Sequence, residues 1–206
     1  NSIIFIVLFI MVAIIVFSGM HEYFDNLNKT FEYKTTRYTP WNKRTINAEC
    51  KRDNSCIDNT ALQNMDITCR GAALSELGLE FKNDNARYKL GCIAIKNKEG
   101  IINVDSDKRD VNTGSSLDKI QLYCPSNSVL TSITMDNDSP SGECARARTK
   151  LSCRDFNTSA ISISDESHLR DLDQLSMKCP SESALAGYSL EKNSRNKYFY
   201  NYTCCK

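Results

Sequence analysis

The sequence predicts an all-β domain stapled by disulfide bonds, built from three repeats and preceded by one transmembrane helix. Three observations support this prediction: one pattern recurs at a fixed interval, its apolar residues alternate with a period of two, and the chain contains ten cysteines. A period of this length is typical of one supersecondary unit whose copies bury a shared core. Three copies allow a closed threefold fold.

The repeated pattern begins at Leu62, Leu117 and Leu172, with a constant step of 55 residues. In each copy, apolar residues stand three and five places after the leucine, and a cysteine stands seven places after it. These residues are Met65, Ile67 and Cys69; Ile120, Leu122 and Cys124; Leu175, Met177 and Cys179. Alternation with a period of two predicts a β-strand.

A second apolar segment follows in each copy, and a third segment ends in another cysteine. The second segments contain Leu74, Leu77 and Leu79; Leu130, Ile133 and Met135; Leu185, Tyr188 and Leu190. The third segments close at Cys92, Cys153 and Cys204. Residues 100–104 and 160–164 then supply a fourth apolar stretch to the first two copies. About twelve short strands predict a β-prism of three sheets, with a β-trefoil as the alternative.

The N-terminal region divides into an apolar segment and a polar one. Residues 1–20 are predicted to form a transmembrane signal-anchor that contacts the membrane through residues 3–20, since their length is about that of a bilayer-spanning helix. A cleaved secretory signal peptide is the alternative. Residues 21–49 are interpreted as a stalk, in which Phe31–Tyr38 alternates as a strand would. The third copy has two residues after Cys204, so this strand is expected to complete its sheet.

Ten cysteines without paired metal-ligand spacing favour disulfide bonds over a zinc site in the Cys-rich region 50–206. Equal placement in the copies predicts the pairs Cys69–Cys92, Cys124–Cys153 and Cys179–Cys204. Cys50, Cys56, Cys144 and Cys205 remain, and a Cys50–Cys205 bond would join the two ends of the domain. The order of these last four is left open.

Glycosylation sequons begin at Asn28, Asn157 and Asn201. Together with the disulfides they predict that the Cys-rich region lies on the extracellular or lumenal side of a membrane, or on a virion surface. Lysine and arginine are interspersed with acids, 26 basic against 25 acidic residues, so the sequence gives no support to nucleic-acid binding.

One acidic residue follows the second segment of every copy: Glu80, Asp136 and Glu191. Three related carboxylates could bind a cation or sugar hydroxyls, because hard cations take several oxygen ligands. The favoured interpretation is that these acids are turn residues. No catalytic motif occurs, so we predict neither an enzyme, nor a resident metal, nor a cofactor.

The segments around residues 58–69 and 115–125 resemble the strand motif of the vitelline membrane outer layer protein I family, in which an acidic-Thr-Ala-Leu run leads into a strand ending on Cys. The resemblance covers about a dozen residues per copy. It implies a threefold, disulfide-stapled, non-catalytic extracellular β fold. The glycine- and tryptophan-rich motifs of that family are absent, so its sugar-related activity is not carried onto any residue here.

These features predict a membrane-anchored structural or interaction subunit of a larger surface assembly, on a cell or an enveloped virion. Its expected partners are other membrane or surface proteins. A lectin-like module that binds glycans is one alternative, and a viral attachment or entry protein is another.

Overall fold

The computed structural model describes residues 10–12, 14–18, 29–43, 65–82, 85–105, 121–135, 140–163 and 169–206. Within these ranges the domain is all-β and contains four disulfide bonds, in agreement with the predicted class. The strands are β1 (Phe31–Tyr38), β2 (Asn42–Lys43), β3 (Ile67–Thr68), β4 (Ala73–Lys82), β5 (Asn85–Ile95), β6 (Lys98–Asp105), β7 (Gln121–Tyr123), β8 (Ser128–Met135), β9 (Pro140–Ala147), β10 (Cys153–Asn157), β11 (Ile161–Ser162), β12 (Ser176–Lys178), β13 (Ala184–Lys192) and β14 (Lys197–Cys205).

Two short helical stretches accompany the strands. A 3₁₀ helix, Leu169–Gln174, packs against β4. Residues 10–12 and 14–18 are helical as well, and the Ser18 hydroxyl donates to the carbonyl of Ile14. Among the described residues, no helix has both the length and the apolar character that crossing a membrane requires.

The strands form three antiparallel sheets with the same internal arrangement. Sheet I has the order β1-β5-β4-β12, with β2 also on β5. Sheet II has the order β6-β9-β8-β3, and sheet III has β10-β14-β13-β7, with β11 also on β14. Each sheet therefore has a hairpin of consecutive strands at its centre, a short strand on one side and an outer strand on the other.

Each central hairpin carries a β-bulge at the same place in its first strand. The extra residues are Ser75, Thr131 and Ala186, as the interrupted pairing shows. Their carbonyl oxygens accept backbone hydrogen bonds from Cys179, Cys69 and Cys124, at 2.9, 3.0 and 2.8 Å respectively. Each donor directly follows the short strand that flanks the hairpin. The bulge carbonyls, which the strand ladder does not use, are thus satisfied by that short strand.

The main hydrophobic core takes side chains from all three sheets. Its fully buried members include Leu74, Leu130, Ile133, Leu185, Leu190, Ile67, Leu122 and Met177. These residues are the ones whose period-two alternation predicted strands, and that prediction is confirmed. Ala73, Val129 and Ala184 lie on the opposite face of the hairpins and form a second cluster with Phe31. The base of each hairpin is therefore buried on both faces.

The predicted strand Phe31–Tyr38 exists, but it pairs differently from what the sequence led us to expect. It forms the outer strand of sheet I and pairs with β5, which belongs to the first copy of the pattern rather than the third. The reason is that the strand after each hairpin pairs with the next hairpin along the chain. β6, which follows the β4–β5 hairpin, pairs with β9, and β10, which follows the β8–β9 hairpin, pairs with β14. The outer strand before the first hairpin is therefore β1, and Phe31 anchors it with 1% of its surface exposed.

Two of the predicted disulfide bonds are confirmed, Cys69–Cys92 and Cys179–Cys204. The predicted Cys124–Cys153 bond is wrong, because Cys124 pairs with Cys144. Cys144 lies opposite Leu130 in the β8–β9 hairpin, as Cys92 lies opposite Leu74 and Cys204 opposite Leu185. The segment ending at Cys153 is therefore the entrance to β10 and not the end of a hairpin.

The proposed Cys50–Cys205 bond is wrong as well. Cys205 pairs with Cys153, which lies directly across from it between β10 and β14 at a Cα–Cα distance of 4.0 Å. Cys50 and Cys56 lie outside the described residues. Each of the four bonds closes a loop that restricts the unfolded chain, which stabilises the fold by about 3–4 kcal/mol per bond in the chain-entropy model.

Tryptic mapping without reduction tests this connectivity directly. Trypsin does not cut between Ile120 and Arg146, so the fragment 120–146 should contain both of its cysteines in an internal disulfide. The fragments 151–154, 179–192 and 198–206 should be recovered as one linked cluster, because adjacent Cys204 and Cys205 pair with different strands. Recovery of fragment 120–146 linked to fragment 151–154 would contradict the structure.

Candidate functional site

The repeated acidic residues do not form one group among the residues that the structure describes. Glu80 lies on the outer face of sheet I, and Glu191 lies on the outer face of sheet III, since their buried neighbours Leu79 and Leu190 point inward. Glu191 accepts hydrogen bonds from Ser189 and Asn201 at 2.8 and 3.1 Å. Asp136 lies outside the described residues.

Glu80 belongs to a cluster that the sequence did not predict. Its Oε2 atom accepts from Nη2 and Nε of Arg87, directly across the β4–β5 pair, at 2.7 and 2.8 Å. The Arg87 guanidinium also stacks on two aromatic rings, 4.0 Å from the ring centre of Tyr38 and 4.2 Å from that of Trp41. A guanidinium combines a carboxylate contact and ring stacking in this way because it is planar.

The turn after β1 brings Trp41 into this cluster. The backbone of Thr39 donates to the carbonyl of Tyr88, and the Thr39 hydroxyl accepts from the Tyr88 N–H, at 3.0 and 2.9 Å. Thr39 is buried, and Pro40 follows it, so the chain turns here before β2 rejoins β5. The result is an open cleft of ≈330 Å³ beside the Arg87 cluster, lined by Trp41, Leu79, Glu80, Phe81, Lys82, Arg87 and Asp173.

A second charged cluster lies further along the same sheet face. Glu76 is 8% exposed and binds two lysines, Lys34 at 3.1 Å and Lys89 at 3.0 Å, one through each carboxylate oxygen. Gly91 makes room for it, because a Cβ atom at that position would lie 2.6 Å from the Cβ of Glu76 and 2.9 Å from the Lys34 chain. A larger residue in place of Gly91 would displace one partner.

Two opposing effects set the pKa of Glu76. Burial raises the pKa of this carboxyl, but the hydrogen bonds and charges of Lys89 and Lys34 outweigh burial, so the pKa lies below the ordinary value of 4.5. The hydrogen bond and the charge of Glu76 in turn raise the pKa of Lys89. Both groups are therefore charged near neutral pH, and the cluster joins β1, β4 and β5 electrostatically.

Three tyrosines from two sheets line a small, partly open cavity of ≈30 Å³, together with Ile67, Leu77, Leu79 and Met177. Burial raises the pKa of Tyr88 and of Tyr188, and it raises the pKa of Tyr200 to about 12. The rings of Tyr188 and Tyr200 meet edge to face, 6.0 Å apart. A cavity of this size holds a water molecule and excludes an organic ligand, so we assign the tyrosines to the core.

Two of these tyrosines, Tyr88 and Tyr200, occupy the same place in their hairpins. The second copy has no tyrosine there. The pairing shows Pro140 in that place instead, since it lies opposite Met135 as Tyr88 lies opposite Leu79 and Tyr200 opposite Leu190. The cause is again the shorter β8–β9 hairpin, which ends at Ala147.

The sequons fall in different settings. Asn157 is exposed at the end of β10, and Asn201 is half-buried in β14, where its side chain donates to Glu191. Asn28 lies outside the described residues. No group of three or more metal-ligating side chains occurs in the described part of the chain.

Comparison of the chain with protein-family models, with curated proteins and with solved structures finds no match.

Replacing Glu76 by Gln tests the buried ion pairs. We expect a loss of about 1–2 kcal/mol in the free energy of unfolding at about pH 7, because two charge-assisted hydrogen bonds weaken. The folded-state pKa of Glu76 is depressed, so its contribution is complete above the unfolded value and is lost as the pH falls through the folded value. Urea unfolding should therefore show the two proteins converging in acid.

The matched control is the Glu99→Gln variant, since Glu99 is exposed in β6. It should change the free energy of unfolding by less than about 0.5 kcal/mol. An equal loss in both variants, or a difference for Glu76→Gln that does not depend on pH, would contradict the role given to Glu76.

Proposed function

We propose that the chain is a membrane-anchored, non-catalytic structural or interaction module on the extracellular side, and that it serves as a subunit of a larger surface assembly. The observation that carries this proposal is the meeting of the two ends of the domain. Lys29, just before β1, and Lys206, just after β14, both bind the Glu182 carboxylate, at 2.8 and 3.3 Å. A tether that precedes Lys29 would thus leave the domain at one point and keep its other surfaces available to partners.

We also propose that the fold is a β-prism of three 55-residue repeats. It is supported by the common strand order of the three sheets and by the bulges at Ser75, Thr131 and Ala186. Three separate sheets that each contain a central hairpin favour a prism over a β-trefoil. The resemblance to vitelline membrane outer layer protein I agrees with this description.

Membrane anchoring through residues 3–20 is proposed from the composition of that segment. Its described residues are helical and apolar, and Ile15 and Phe17 expose 67% and 72% of their surface. Such exposure is costly in water and favourable in lipid. The four disulfides agree with an oxidising compartment, which would place the Cys-rich region outside a cell or on a virion.

The test is expression of the full chain in cells with a secretory pathway, followed by mild detergent extraction. We expect the chain to remain with the membrane, to lose apparent mass on glycosidase treatment, and to co-purify with other surface proteins. Asn157→Gln and Asn201→Gln variants should each lose part of the glycosidase shift.

Two results would contradict the proposal. Free thiols together with the absence of any glycosidase shift would reverse the assigned orientation. A detergent-extracted species with the mass of a single 23.3 kDa chain plus detergent, free of bound partners, would remove the assembly role.

A further inference from the structure

The cleft beside Trp41 has the features of a ligand site. Its lining residues come from the turn after β1, from the β4–β5 hairpin and from the 3₁₀ helix. Trp41 follows β1, Glu80 and Lys82 lie on β4, and Arg87 lies on β5. Asp173 approaches from the 3₁₀ helix. An open volume of ≈330 Å³ falls within the range of small-molecule pockets. Leu79 and Phe81, the neighbours of Glu80 in β4, also line it.

The indole of Trp41 is positioned in advance of binding. The Arg87 guanidinium stacks on the Trp41 ring, 4.2 Å from its centre, and Glu80 binds the guanidinium. The Trp41 side chain nevertheless remains 39% exposed. A flat apolar surface that is already fixed loses little conformational freedom when a ligand packs on it. The C–H face of a sugar ring is such a ligand surface, since it is flat, apolar and bordered by hydroxyls.

The charges around the cleft favour a neutral ligand. Among the described residues that line the cleft, two are acidic, Glu80 and Asp173, and two are basic, Lys82 and Arg87, so their formal charges cancel and give no net attraction to a polyanion. Both contacts with Arg87 use Oε2 of Glu80, so Oε1 can accept a hydrogen bond from a ligand hydroxyl. Hydroxyls donate and accept, which matches a lining that offers acceptors and donors together.

We propose that the Trp41 cleft binds a neutral mono- or disaccharide, which stacks on the indole and places its hydroxyls against Glu80 and Lys82. Within the described part of the chain this site occurs once, because β1 and the turn after it lie outside the 55-residue pattern. The inference is independent of the tether and of the assembly role, and either can fail without the other.

The test uses the chain's single tryptophan as a reporter, because Trp41 is the only indole in the sequence. Titration of the full chain in mild detergent with glucose, galactose, mannose, N-acetylglucosamine and their disaccharides should shift the emission of Trp41 in a saturable way. We expect a Kd of about 1 mM for the best sugar. Glu80→Gln should raise this Kd by about tenfold, as the loss of one charged hydrogen bond predicts.

The control variant is Glu191→Gln, which changes the carboxylate at the corresponding place on sheet III and should leave the Kd unchanged. If Glu80→Gln lowers the melting temperature so far that the chain unfolds, Lys82→Gln replaces it with the same expectation. Emission that no neutral sugar changes would overturn the inference, and so would equal weakening by Glu80→Gln and Glu191→Gln. A shift produced by heparin alone would assign the cleft to anions and overturn it too.

Discussion

The hydrogen bond from each of three cysteine N–H groups to a bulge carbonyl is the constraint on which the three sheets depend. A bulge removes a carbonyl from its ladder, and a buried carbonyl without a partner costs free energy. Cys69, Cys124 and Cys179 supply the missing donors from the short strand at the edge of the same sheet. The same residues form disulfides with Cys92, Cys144 and Cys204, which belong to a different sheet in each case. Each of these cysteines therefore binds one sheet through its backbone and another through its sulfur, and the three links close a ring.

The positions of the strands could largely be predicted from the sequence, but the pairing of strands and of cysteines could not. Alternation located the strands because the large apolar side chains of each strand lie on the face toward the main core. The step of three residues between Leu74 and Leu77 results from the bulge at Ser75. The Cys124–Cys153 prediction was wrong because it assumed equal hairpin lengths. The pairing of each outer strand with the next hairpin depends on contacts between copies, which no local pattern records.

The Arg87 cluster could not be read from the sequence for a similar reason. Its aromatic residues, Tyr38 and Trp41, come from a segment that resembles a polar stalk, and they meet Arg87 only because β1 and β2 pair with β5. The repeated acids were visible, yet their surroundings differ: Glu80 faces a guanidinium, whereas Glu191 faces a serine and an amide. Sheet I thus differs in surface chemistry from sheet III at these described positions, because its outer strand comes from outside the repeating pattern.

Amide hydrogen exchange of Cys69, Cys124 and Cys179 tests the central claim most directly. If these three N–H groups hold the sheets together, all three should exchange only through global unfolding, with opening free energies within about 1.4 kcal/mol of one another. Exposed residues in the outer strand β1, such as Thr36, should exchange much faster. Exchange of any one of the three cysteine amides at the rate of the outer-strand amides would contradict the account.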